Sequence, residues 1–94
     1  MKTKIKTVDF GKQIRKDLKL AKKRGCDLSK LDKVIDLLCT YQALPAKYLD
    51  HPLAGNYKGY RECHLEPDWL LIYKIENETL TLVLFRTGSH SDLF

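Results

Sequence analysis

Cysteine is scarce in this chain. The three present, Cys26, Cys39 and Cys63, are an odd number and contain no Cys-x-x-Cys pair. That argues against a disulfide framework and for reduced thiols in a cytoplasm, packed as small apolar residues. Long apolar runs are also missing. The longest, Trp69 to Tyr73, falls far below the ~20 residues a helix needs to cross a bilayer, so no membrane partner is expected. The opening Met-Lys-Thr-Lys-Ile-Lys has a basic head with no apolar stretch behind it, which argues against a secretory signal. There are no internal repeats or low-complexity segments.

What is present suffices for a single domain spanning residues 1–94, with 44% hydrophobic and 31% charged residues. The net charge of +5 is unevenly spread. Residues 1–47 hold thirteen Lys/Arg against five Asp/Glu, and residues 48–94 hold four against seven. A basic half favours polyanionic partners such as nucleic acid, the ribosome or an acidic protein. A lysine-rich solvated helix face would carry the same count.

The pattern along the chain predicts an α+β domain. Lys2 to Val8 reads as a short edge strand. From Asp9, a plausible cap, Phe10, Ile14, Leu18 and Ala21 recur at helical spacing up to Gly25. Leu28, Leu31, Val34, Ile35 and Leu38 form the stripe of a second helix, with Ser29 and Asp32 as a weak capping box. The short link between them predicts an antiparallel helical hairpin. Pro45, Pro52, Gly55 and Gly59 then punctuate a long loop. Three strands follow: Tyr60 to Glu66, Trp69 to Ile75 and Thr79 to Arg86, the last two joined by Glu76-Asn77-Glu78. The expected architecture is an N-terminal strand, the hairpin, and a three-strand antiparallel meander with the helices on one sheet face.

Candidate chemistry lies in the second half, in His51, His64, Asp68, Arg86 and His90. His64 alternates in phase with Tyr60, Glu62 and Glu66, towards the polar side of its strand. Arg86 shares the parity of Leu80, Leu82 and Leu84, yet is charged; it is either a cation reaching water or a planar fork for an anion. The histidine spacings lack the short pairs of a zinc site, so no metal and no other cofactor is expected. These residue types suit RNA cleavage by the ribose 2′-hydroxyl. Imidazoles can act as base and acid, and a guanidinium can stabilise the crowded phosphoryl oxygens.

The run from Asp50-His51-Pro52-Leu53 through Cys63-His64-Leu65-Glu66-Pro67-Asp68-Trp69 to Tyr73, with the ending Gly88-Ser89-His90-Ser91-Asp92-Leu93-Phe94, resembles the YafQ-type branch of the RelE/ParE toxin superfamily. The resemblance covers nearly the whole chain. It implies a cytoplasmic type II toxin that cleaves mRNA in the ribosomal A site and contacts ribosomal RNA. It further implies neutralisation by a DinJ-like antitoxin, with operator DNA met only through the antitoxin complex. By position it implies His90 as general acid and Asp68 or His51 as general base. Arg86 would stabilise the transition state, and His64 would orient the phosphate or a partner group. Phe94 would hold the tail or stack on a base, with Tyr57, Lys58 and Arg61 as further substrate contacts. The same fold also serves ParE-like toxins acting on DNA gyrase, and a non-catalytic RNA- or ribosome-binding module is a second alternative.

Overall fold

A five-stranded mixed sheet in the order β1-β5-β4-β3-β2 forms the frame. The computed structural model describes residues 5–40 and 44–94. The strands are β1 (Thr7–Phe10), β2 (His51–Pro52), β3 (Arg61–Glu66), β4 (Trp69–Glu76) and β5 (Thr81–Gly88). The helices are α1 (Lys12–Lys23), α2 (Leu28–Cys39) and α3 (His90–Leu93). The meander β3-β4-β5 is antiparallel as expected. β1 instead pairs with β5 in parallel, and β2 adds a two-residue strand to the edge of β3, so the sheet is mixed.

The first strand lies further along the chain than its pattern suggests; residues 2–4 of the expected strand lie outside the described residues. Asp9 and Phe10 belong to β1, because Phe10 continues the ladder opposite Leu84. Asp9 is therefore not a helix cap. Gly11, extended at φ −63° and ψ 171°, is the N-cap of α1 and offers no side-chain bond. α1 ends where Gly25, at φ +79°, takes the left-handed position open to glycine. α2 is capped by Asp27, which accepts from Ser29 N–H, rather than by a Ser29/Asp32 box.

Both helices contribute to one core. Ile14 and Ala21 of α1 and Leu31, Val34 and Leu38 of α2 pack with Cys63, Trp69, Leu71, Tyr73, Leu82 and Leu84 from the sheet. Burial pushes the Cys63 thiol up to about 12, so it packs as an uncharged small residue. The opposite sheet face carries a second, smaller cluster. There Leu70, Ile72 and the tail residue Leu93 are buried against Leu53, Tyr57, Tyr60 and Phe85. β4 is thus covered on both faces, which is why Trp69 to Tyr73 is an unbroken apolar run. The Pro/Gly loop supplies two single 3-10 turns, Ala46–Tyr48 and Gly55–Tyr57, besides β2. β4 runs on to Glu76 and β5 begins two residues later than expected, so the connection is one residue longer, and Leu80 takes φ +51° before β5 begins.

Two bulges decide which way the polar side chains face. Between β3 and β4 the register slips at Leu65: His64 faces Leu70, but Glu66 faces Trp69. Glu66 therefore leaves the row of Glu62 and His64 and turns to the helix side, where it accepts from Lys30 of α2. Between β4 and β5, Ile72 faces Arg86 while Tyr73 faces Leu84, leaving Phe85 as the extra residue. Arg86 is accordingly out of the leucine row that simple alternation assigns it.

Candidate functional site

Strand β3 carries two of the site's residues on its face away from the helices. Glu62 is only 5% exposed. Its Oε1 lies 3.6 Å from His51 Nε2 and 3.7 Å from His64 Nε2. These separations exceed a hydrogen bond but put one buried carboxylate between two imidazoles. β2 makes this possible by pairing His51 directly with Glu62. The His51 Nδ1–H donates to Leu49 O at 2.7 Å, which turns Nε2 towards Glu62.

His90 reaches the same place from the other end of the chain. Its ring centroid is 5.7 Å from that of His64. Asp68, in the β3–β4 turn, accepts from His90 Nδ1–H at 2.7 Å and from its backbone N–H at 2.9 Å, both on Oδ1. Because a carboxylate only accepts, Nδ1 carries the proton and Nε2 is the free ring nitrogen. These two bonds hold the Asp68 carboxyl below its usual range. The result is two imidazoles facing each other, each with its own carboxylate.

The tail that carries His90 is ordered by three anchors. Ser89 and Asp92 form a reciprocal capping box at the start of α3. Arg24, at the end of α1, clamps Asp92 through Nη1 at 2.6 Å and Nη2 at 3.3 Å. Leu93 is 7% exposed, in the second cluster. Gly88 permits the fold-back, since a Cβ there would lie 2.9 Å from the Asp92 Cβ. Arg24, followed by Ser89, holds the Asp92 carboxyl well below the usual carboxylate range. A depressed carboxyl contributes its anchoring fully above the unfolded value near ~3.9 and loses it only as pH falls through the lower folded value. Amide exchange protection at Leu93 and Phe94 is therefore expected to hold from neutral pH down to about pH 4 and to fall below it. Loss already near pH ~6 would show that an imidazole, not Asp92, anchors the tail.

Arg86 is held by α1. Its Nε donates to Asp17 Oδ2 at 2.8 Å and its Nη2 to Asp17 Oδ1 at 3.3 Å, while Thr87 N–H donates to the same carboxylate. Asp17 raises the guanidinium pKa further, so the fork is a permanent, oriented cation. Arg86 and Asp68 line one groove of about 780 Å³ between α1, the β3–β4 turn and the tail. Phe94, 61% exposed, meets Tyr57 edge-on at 5.7 Å. Tyr57 in turn meets Phe85 at 6.2 Å.

The expected residues His51, His64, Asp68 and His90 are thus brought together, with Arg86 sharing a groove with Asp68 but not with the histidines, and the Phe94/Tyr57 pair beside the tail. Arg61 is not among them. It sits on the helix-side row of β3, opposite Tyr73, and its guanidinium is tied to Asp50 at 3.1 Å. Lys58 is an exposed loop residue at the end of a 3-10 turn. Sequence reasoning passed over Glu62, Asp17, Arg24 and Asp92. Only Glu62 left a signal, its shared phase with His64.

A small α+β domain with a histidine-bearing sheet face is the class these features define. Residues 6–94 match the family model described as the bacterial toxin of a type II toxin–antitoxin system, YafQ. The mRNA interferase toxin YafQ of Escherichia coli K12 is 48% identical over 93% of this chain and 94% of its own length. The crystal structure of YafQ from E. coli BL21(DE3) superposes with a TM-score of 0.87 at 45% identity, covering 93% of this chain and 96% of that one. YafQ in the E. coli DinJ–YafQ toxin–antitoxin complex does so at 0.84 and 48%, covering 93% and 94%. The chain belongs to the YafQ toxin family.

Proposed function

We propose that this chain is an mRNA endoribonuclease, the toxin of a type II pair, which cuts message in the ribosomal A site and is neutralised by an antitoxin of the DinJ type. The observation that carries the chemistry is the facing imidazole pair, 5.7 Å between ring centroids, with Glu62 behind one ring and Asp68 behind the other.

Asp68 Oδ1 already accepts two N–H bonds from His90, so Asp68 acts as the group that orients the acid rather than as the base. The base then falls to an imidazole, and His64 is the one seated against His90. Neutral His64 takes the 2′-hydroxyl proton and the 2′-oxygen attacks phosphorus. The phosphorus–O5′ bond breaks, and protonated His90 returns a proton to O5′ through Nε2. Arg86 stabilises the charge gathered on the phosphoryl oxygens. No external nucleophile is consumed, so the products are a 2′,3′-cyclic phosphate and a 5′-hydroxyl.

Mapping the 3′ ends of cleaved message tests this. A cyclic phosphate or 3′-phosphate is the expected terminus; a 3′-hydroxyl would overturn the internal-attack chemistry. The same products should form when a chelator is present.

A further inference from the structure

A second groove, of about 570 Å³, has His64 in its wall and otherwise lies outside the residues assigned above. Lys30, Lys33, Lys47, Leu49 and Glu66 help to line it. Lys30 and Lys33 stand three residues apart on α2 and so share a face. Lys47 comes from the 3-10 turn after Pro45, its Nζ 5.2 Å from the ring centroid of the buried Tyr48. Glu66 engages Lys30. Lys33 and Lys47 have no carboxylate partner among the described residues. Leu49 is 59% exposed and holds φ +50° as the left-handed residue that closes the Ala46–Tyr48 turn.

We propose that this groove seats the phosphodiester backbone of the RNA strand next to the linkage being cut, which deepens and rests on the endoribonuclease reading. Lys33 and Lys47 pair with phosphates, and Leu49 packs against a ribose or base. His64 in the groove wall selects RNA over an acidic protein segment, since a strand seated there has the proposed base beside it. Ammonium groups on flexible stems suit this task, neutralising successive phosphates without fixing their orientation.

The test is the full-length protein with a labelled, fully 2′-O-methylated oligoribonucleotide of about eight residues, followed by fluorescence anisotropy across a salt series. The double variant Lys33→Glu/Lys47→Glu is expected to bind about 10-fold or more weakly. The slope of log affinity against log salt should be shallower by about 1.4, for two lost phosphate contacts at ~0.7 each. Lys22→Glu/Lys23→Glu on α1 makes the same charge change and should keep the parent slope. Lys33→Gln/Lys47→Gln gives the comparison without charge reversal. Failure of the parent chain to bind, an unchanged slope in the groove variants, or equal weakening in the α1 variant each overturns the proposal. So does a groove variant that keeps RNA affinity and loses an acidic antitoxin instead. Because this oligonucleotide is never cut, a 3′-hydroxyl in the mapping experiment refutes the chemistry and leaves the groove standing.

Discussion

Replacing His90 with alanine is expected to slow cleavage of ribosome-bound message by about 10²-fold or more while ribosome binding survives. The ring is more than half exposed, so its removal leaves no cavity in the core. Its Nδ1 is committed to Asp68, so the variant loses the proton donor and leaves the Asp68 carboxylate with no ring to orient. The backbone N–H of residue 90 still reaches Asp68, and Ser89, Asp92 and Leu93 still hold α3. Single-turnover cleavage together with ribosome co-sedimentation separates the two effects. A module that only binds RNA would lose nothing on this substitution, and such a result would sink the acid assignment.

Arg86→Ala should act twice. Loss of the oriented cation removes about 10²- to 10³-fold of phosphoryl stabilisation. It also leaves Asp17, whose side chain is 9% exposed, with the Thr87 N–H but without its cation, at a cost of about 1–3 kcal/mol. Arg86→Ala combined with Asp17→Asn separates the two consequences. The double variant is expected to regain most of the stability, measured by urea unfolding, and none of the cleavage. Recovery of both would reduce Arg86 to a structural tie between α1 and β5.

Elements whose register is set by their own side chains were legible. The stripes of α1 and α2 and the two-sided apolarity of β4 report burial directly, and the sheet follows from them. What escaped reading depends on a partner distant in sequence. Phe10 has the right spacing to begin a helix, but its ladder with Leu84 is a tertiary bond that no local window contains. Parallel pairing of β1 with β5 is hidden for the same reason. Asp17 sits on a lysine-rich helix face and looks solvated; only the fold brings Arg86 to it. Glu62 looks like one more polar strand residue until β2 lays His51 across from it. The candidate histidines were readable as residue types at strand boundaries. Their carboxylate partners were readable only in part, since Asp68 stood out by position and Glu62 did not.

Phe85, the residue without an opposite number on β4, works as a phase shifter in the final strand. Upstream of it, side chains are dealt to the hairpin side in one order; downstream the order is inverted, and Thr87 rather than Arg86 takes the sealed position, its Oγ1–H donating to Leu70 O at 2.6 Å. Deleting Phe85 would leave Arg86 opposite Ile72 and Thr87 opposite Leu71, whereas keeping Phe85 and flattening the bulge would put Phe85 opposite Ile72 and carry the guanidinium to the sealed side. The side on which the positive charge lies is therefore decided by where the strand absorbs its surplus residue, not by alternation along it.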